Sequence, residues 1–146
     1  MKQKTKQWLS VLLIAVLALT CAACNQAAPS NSADQSVWAN ATYTEDTTFG
    51  EGNTTVLVEV KVGDNAVTFT LNTDKKLLSE ALMEHDLIAG DEGEYGLYVK
   101  VVNGITADYD KDGHYWSLCK DGGMVMTGVD ATEIQDGEHY ELVYAK

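Results

Sequence analysis

The sequence contains no arginine and few lysines, so cationic side chains are what it most clearly lacks. Its formal net charge is −12 and its pI is near 4.4. A surface of this sign repels phosphate-rich partners, which argues against nucleic-acid binding. We interpret the acidity as favouring solubility outside a cell.

Cysteine is scarce as well. Cys21 and Cys24 end an apolar N-terminal run, which leaves Cys119 alone in the rest of the chain, without a partner for an internal disulfide. Its place in a strand-like run favours a small core residue over a nucleophile. The motifs G-x-S-x-G and H-E-x-x-H and a phosphate-binding loop are all absent. The sequence therefore predicts a protein that is not an enzyme.

Residues 1–23 have the pattern of a lipoprotein signal peptide. A lysine-rich start precedes an apolar run of about 15 residues, shorter than the roughly 20 that span a bilayer as a helix. Two alanines then precede Cys24, and lipoprotein signal peptidase requires small residues there. We predict lipidation of Cys24, with Cys21 as the weaker site and ordinary secretory cleavage as the alternative. A lipid there would anchor the chain on the extracytoplasmic side of the cell membrane.

Residues 24–53 have the composition of a spacer. They are rich in Ala, Ser, Asn and Thr, contain Pro29 (the single proline), and show no apolar periodicity. We expect a flexible tether, with Trp38 and Tyr43 as exceptions that could pack on the folded part as an extra strand. The folded domain is then expected over residues 54–146.

The domain begins with a clear strand pattern. Residues 56–62 and 67–71 alternate between apolar and polar side chains around a Gly63 turn, which predicts a β-hairpin. Apolar residues at helical spacing follow and predict a helix that ends near His85, capped at its start by Thr73 or Asp74. His85 would then interact with the C-terminal end of that helix.

Three further strands are predicted at residues 95–102, 115–119 and 140–144, with an irregular crossing over residues 124–134. One helix on one face of a mixed sheet of four to five strands makes an α+β domain. The element order matches a β-grasp (ubiquitin-like) fold.

An acidic block precedes the second of these strands. Asp108, Asp110 and Asp112, followed by Gly113, match the first half of a calcium loop, in which alternate carboxylates converge on a hard cation. The twelfth position of such a loop would be Cys119, which cannot supply the bidentate carboxylate. The block is therefore either a calcium site completed by another acid or a solvated turn.

The aromatic residues after this block allow two interpretations. His114, Tyr115 and Trp116 could form a platform with an imidazole beside a flat ligand or a metal. Alternatively, Trp116 belongs to the core beneath the helix and His114 has no ligand role.

The stretch from Tyr95 to Tyr144 resembles the bacterial DUF4430 family, which is similar to the C-terminal domain of transcobalamin and intrinsic factor. The resemblance is carried by Tyr95-Gly96, Tyr98-Val99, Val102-Asn103-Gly104, Tyr115-Trp116-Ser117-Leu118, Gly128, Asp136-Gly137 and Tyr144. It implies a β-grasp-like fold and, as in the animal proteins, one wall of a corrinoid (cobalamin) site. The expected ligand-binding residues are Tyr95, His114, Tyr115, Trp116, Gly128 and Val129.

Two functions are compatible with these patterns. A surface lipoprotein that captures a corrinoid would expose an aromatic groove at Tyr115, Trp116 and Val129. A tethered protein-interaction or adhesion module, stiffened by calcium at the acidic block, would bury those aromatics and expose a strand edge for pairing.

Overall fold

The structure is a computed structural model that describes residues 32–146. It has three helices and two β-sheets, with most of the regular structure in strands, so the α+β class is confirmed. In chain order the elements are α1 (Ser32–Trp38), β1 (Thr47–Phe49), β2 (Thr54–Val62), β3 (Asn65–Thr73), α2 (Leu78–Met83), β4 (Ile88–Gly93), β5 (Gly96–Val102), β6 (Ile105–Thr106), α3 (Tyr109–Asp112), β7 (Tyr115–Lys120), β8 (Gly123–Met124) and β9 (His139–Ala145).

The main sheet has six strands in the order β1-β3-β2-β9-β7-β8. It is mixed, because β1 runs parallel to β3 and β2 runs parallel to β9 while the other pairs are antiparallel. The sheet is larger than expected because the short strands β1 and β8 extend its two edges. The strand expected over residues 95–102 is not part of it, since β5 forms a separate sheet in the order β4-β5-β6.

The hairpin of β2 and β3 is confirmed, with Thr54 paired to Thr73 and Val62 paired to Asn65. Gly63 between the two strands has a φ of +56°, a left-handed conformation that favours glycine. Alternate residues of β2 are fully or nearly fully buried, as the sequence pattern predicts. The apolar faces of the four long strands form the core together with α2, through Val58, Phe69, Leu118, Leu142 and Leu82, among others.

Helix α2 is shorter than predicted, and neither predicted residue caps it. Thr73 belongs to β3, and the Asp74 carboxylate accepts bonds from Asn53 instead. The N-cap position is Leu77, whose side chain makes no capping bond. The amides of the first helical turn are instead satisfied by carbonyls far along the chain, with Leu78 N donating to Thr132 O at 2.9 Å.

The His85 backbone N donates to Leu82 O at 3.4 Å, but its side chain does not cap the C-terminal end of α2. Its ring stacks on Phe49, with centroids 5.1 Å apart and planes 27° apart. The turn after the helix is made by Asp86, which has a φ of +54°. The interpretation of His85 as a C-terminal capping residue was therefore wrong, because β1 brings an aromatic partner that the local sequence does not show.

Strand β4 was not predicted. Most of its residues are polar or glycine and are exposed, so it lacks the alternation by which strands are recognised. Its register with β5 shifts between Ala89 and Gly90, which forms a bulge. A Cβ on Gly90 would stand 2.0 Å from the carbonyl oxygen of Tyr98. A glycine at this position therefore allows β4 and β5 to approach each other closely.

Residues 32–53 pack on the sheet, which differs from the flexible tether expected over 24–53. Val37, Trp38 and Tyr43 are partly buried against the core, and β1 supplies an extra strand. The buried Asn103 side chain holds this segment: its Oδ1 accepts from Tyr43 N at 2.9 Å, and its Nδ2 donates to Tyr43 O at 2.8 Å.

The predicted signal peptide, Cys24 and the first part of the expected tether lie outside the described residues. Within residues 32–146, no helix is long and apolar enough to cross a membrane.

Candidate functional site: a cleft between the two sheets

A cleft of about 240 Å³ lies where the main sheet meets the small one. One wall is β5 at Leu97–Val99, and the second is β7 at Tyr115–Leu118. The third wall includes Met124 and the start of the cleft loop, the name used here for residues 125–134. The lining is mostly apolar and aromatic and contains no charged side chain, so the cleft suits an uncharged surface rather than an ion.

Four of the residues expected to bind ligand line this cleft: Tyr115, Trp116, Gly128 and Val129. Their exposure differs from what the ligand-capture hypothesis predicts. Trp116 is only 8% exposed and Val129 only 3% exposed, whereas Tyr115 is half-buried. Trp116 therefore belongs to the core, as one interpretation of the sequence predicted. It also contributes part of its surface to the wall of the cleft, where the other interpretation placed a ligand.

Trp116 packs edge-on against Tyr144, with ring centroids 5.4 Å apart. Its indole Nε1 is buried and has no hydrogen-bond partner among the described residues. A buried N–H without a partner is uncommon in folded proteins and costs stability. This wall of the cleft thus contains one unused donor.

The other two expected ligand-binding residues lie elsewhere. Tyr95 is in the turn between β4 and β5 and is 95% exposed. The His114 ring stacks on Tyr144, with centroids 4.7 Å apart and planes 15° apart, and does not line the cleft. His114 Nδ1 is 3.5 Å from an oxygen of Asp112, which places the ring beside the acidic block.

The acidic block forms a helix rather than an open loop. Asp108 is the N-cap of α3, and Gly113 ends that helix with a φ of +72°. The Asp108 carboxylate lies 3.2 Å from Lys111 Nζ and 3.6 Å from Lys100 Nζ. Its hydrogen bond with Lys111 holds the pKa of Asp108 below its usual value, against the opposing effect of burial and with help from the charge of Lys100.

Two of the three carboxylates of the predicted calcium loop already have partners within the protein. Asp108 pairs with lysines, and Asp112 accepts from His114 N at 2.8 Å. Nowhere in residues 32–146 do three or more His, Cys, Asp or Glu side chains form a group that could hold a metal ion. Calcium binding at Asp108, Asp110 and Asp112 stays a prediction that this geometry does not favour.

Cys119 is a free, half-buried thiol on the outward face of β7, beside Ser117, so it is not the core residue that the sequence favoured.

Sequence reasoning missed the β5 wall and the start of the cleft loop. Leu97 and Val99 have the alternation of a strand, but alternation does not reveal which sheet a strand joins. Met124, Val125 and Met126 form a short apolar run at the start of the crossing, which was the available signal for a structured loop. Leu97, Val99, Met124 and Val125 supply about a third of the residues that line the cleft.

Two comparisons with known proteins agree with this architecture. The model of the family described as "Domain of unknown function (DUF4430)" matches residues 74–145. A crystal structure of a candidate metal-binding protein from Ruminococcus gnavus ATCC 29149 is 36% identical, with a TM-score of 0.60. The match covers 64% of this chain and 98% of that protein. The chain belongs to the DUF4430 family. The expected family is therefore confirmed.

A structure of haptocorrin in complex with Cbi is also similar to this DUF4430 chain, with a TM-score of 0.55, 19% identity and 67% of this chain covered. At this identity the likeness shows the fold alone. The chain spans about a quarter of haptocorrin, since the match covers 26% of that protein. No curated protein sequence matches the chain.

Proposed function

We propose that this chain is a binding protein that takes a corrinoid ligand at the cleft between β5, β7 and the cleft loop. The observation that carries the proposal is that Tyr115, Trp116, Gly128 and Val129, expected to bind ligand from a family resemblance, line one cleft. The likeness to haptocorrin, whose structure contains Cbi, supports the same class of ligand. The absence of charged side chains from the lining suits a large, uncharged ring surface.

The size of the cleft limits what it can do alone. Sites that enclose a drug-sized ligand usually measure about 300–1,000 Å³, and this cleft measures about 240 Å³. It covers one edge of a corrin ring rather than the whole ligand. We therefore expect a dissociation constant on the order of micromolar for the isolated chain, well short of the tightest protein–ligand pairs.

The finer fold assignment, a β-grasp, is part of this proposal. Its support is the first hairpin, the helix that follows, and the final strand β9 lying parallel and next to β2 in the sheet. We also propose that the chain is lipid-anchored through Cys24 at the extracytoplasmic face of the cell membrane. The support is the basic, apolar and small-residue pattern that precedes this cysteine.

The test is a titration of the full-length chain in detergent with cobinamide and with cobalamin, followed through the corrinoid absorbance bands. We expect a saturable spectral shift that weakens at least about tenfold in Tyr115→Ala, since Tyr115 lines the cleft and is only half-buried. Leu57→Ala is the matched control, because Leu57 is a 37% exposed apolar residue on β2 that does not line the cleft. No shift for the unaltered chain up to high micromolar ligand would rule out the corrinoid proposal.

A second function, docking of an extended peptide segment, is favoured by the open edge of β7. Strand β8 pairs with β7 only at Cys119 and Lys120, so Tyr115–Leu118 have β9 on one side and, apart from the bond from Val125 N to Leu118 O, the cleft on the other. Such an edge can accept another strand. Slower amide exchange at Trp116 and Leu118 on addition of a partner protein, with no corrinoid response, would favour this function.

A further inference from the structure

One carboxylate ties two walls of the cleft together. Asp130 Oδ2 accepts a hydrogen bond from the Leu97 backbone N–H at 2.9 Å. Leu97 lies on the β5 wall, and Asp130 directly follows Val129 on the cleft loop. A bond to a charged acceptor is among the stronger hydrogen bonds of a protein. The bond therefore joins the β5 wall directly to the cleft loop.

The chain leaves room for this contact at two glycines. A Cβ on Gly96 would stand 2.2 Å from Asp130 Oδ2, and Gly96 has a φ of +100°. A Cβ on Gly128 would stand 2.7 Å from Asp130 Oδ1. Real Cβ atoms do not come this close, so a side chain at either position would displace the carboxylate. The position of the Asp130 carboxylate therefore requires glycine at both 96 and 128.

The cleft loop is held on its other sides by backbone bonds. Ser79 N donates to Val129 O at 3.0 Å, which ties the loop to α2. Val125 N donates to Leu118 O at 2.9 Å, which ties it to β7. Strand β5 has its own ladder partners in β4 and β6. The Asp130 bond therefore joins the small sheet to a loop that is already fixed to the rest of the molecule.

We propose that Asp130 is a positioning residue that sets the width of the cleft and, through it, the bulk of ligand that the cleft admits. This inference rests on the proposed binding function. Without the Asp130 bond, the hairpin of β4 and β5 loses an attachment to the cleft loop, and the Leu97–Val99 wall is free to move outward. Asp130 need not touch the ligand for this effect.

The experiment uses the full-length chain in detergent and has two readouts. The first is residue-level amide exchange measured by NMR without ligand. Asp130→Ala should speed exchange of the Leu97 amide by roughly tenfold or more, because this amide loses its hydrogen-bond acceptor. The second is the ratio of the dissociation constants for cobinamide and the bulkier cobalamin, which should change by about threefold or more. A general loss of stability would weaken both ligands alike.

Two further variants sharpen the test. Asp130→Asn keeps a side-chain acceptor for Leu97 N–H and should restore both readouts to near the unaltered values. Glu94→Ala removes one negative charge from the exposed turn of the same hairpin and should change neither.

Three outcomes would overturn the inference or its basis. Unchanged Leu97 exchange in Asp130→Ala would show that the carboxylate does not hold the wall. Faster exchange with an unchanged affinity ratio would show that the wall does not select ligands by bulk. Failure of the unaltered chain to bind either corrinoid would overturn the corrinoid proposal and ligand selection with it, and the exchange rate of Leu97 alone would then decide whether Asp130 holds the wall.

Discussion

Among single residues, Glu138 satisfies the largest number of polar partners near the start of β9. Its carboxylate accepts from Lys120 Nζ and from the hydroxyl of Tyr140, and also from Gln135 N at 2.9 Å. Burial alone would raise the pKa of Glu138, but these donors outweigh it and hold the pKa below the usual glutamate value. Burial, followed by the bond to Glu138, raises the pKa of Tyr140, so Tyr140 stays a donor at all ordinary pH values.

Because the pKa of Glu138 is lowered on folding, its stabilising contribution is present above the unfolded value near 4.3 and is lost as the pH falls through the lower folded value. We expect Glu138→Gln to cost about 1–3 kcal/mol at pH 7. The cost should shrink below about pH 4. Urea unfolding of both chains between pH 3 and pH 7 measures this. A cost that is constant across the range would contradict the assignment, and Glu94→Gln serves as an exposed control.

Gly90 is a second residue whose role is set by a distant contact. Gly90→Ala should destabilise the fold by about 1–3 kcal/mol, because the added Cβ would press on the Tyr98 carbonyl and force the bulge apart. Gly123→Ala is the matched control, since a Cβ there meets its nearest atom at 3.6 Å, an ordinary contact. Thermal unfolding of the two variants compares them, and equal midpoints would refute the steric explanation.

At the scale of elements, α2 depends on the cleft loop. A helix of six residues has little stability of its own, and this one has no side-chain cap. Its first amides donate to Thr132 O and Val129 O, so the loop replaces the missing cap. Thr132 in turn is fixed by its hydroxyl, which donates to Gly128 O at 2.8 Å. The helix and the loop therefore form together.

Replacing the buried Thr132 with Val tests this dependence. The change keeps the shape of the side chain but removes the hydroxyl that bonds Gly128 O and Thr127 Oγ1, and should cost about 1–2 kcal/mol. Amide exchange at Leu78 and Ser79 should speed up with it, because those amides donate to the loop. If the stability falls but exchange at these two amides stays slow, α2 does not depend on the loop. Thr68→Val on an outward-facing position of β3 is the control.

Elements that bury one face could be predicted from the sequence, and those that depend on distant partners could not. The alternation over residues 56–62 and 67–71 places the first hairpin because it reports burial directly. Strand β4 is nearly all exposed and carries no such signal. The cap of α2 comes from residues about fifty positions later, where Thr73 and Asp74 were the local candidates.

The candidate site, too, could be predicted from the sequence only in part. The family resemblance identified four residues that line the cleft: Tyr115, Trp116, Gly128 and Val129. The wall formed by β5 could not be placed, because strand pairing between separate sheets is decided by the whole fold.

At the scale of the whole molecule, the cleft is a product of having two sheets. The main sheet supplies the β7 wall and the small sheet supplies the β5 wall. The negative net charge of the chain should repel polyanions such as nucleic acids, while the lining of the cleft itself carries no charge.

Membrane attachment is tested with Cys24→Ala. If Cys24 carries the lipid, the variant should leave the membrane fraction or retain its N-terminal segment, and mass spectrometry of the mature chain should show no acyl groups. Cys21→Ala is the control and should behave like the unaltered chain. An unlipidated but normally cleaved wild-type chain would instead indicate an ordinary secretory signal.

Strand β9 lies between β2 and β7, so the strand nearest the C-terminus occupies the interior of the main sheet. Pairs such as Val58 with Tyr140 join residues more than eighty positions apart, which gives the chain a high contact order. During synthesis the first hairpin can form early, but the sheet stays open until β9 has been made. Deletion of residues 137–146 should therefore abolish folding, because it removes an interior strand of the main sheet rather than an edge strand.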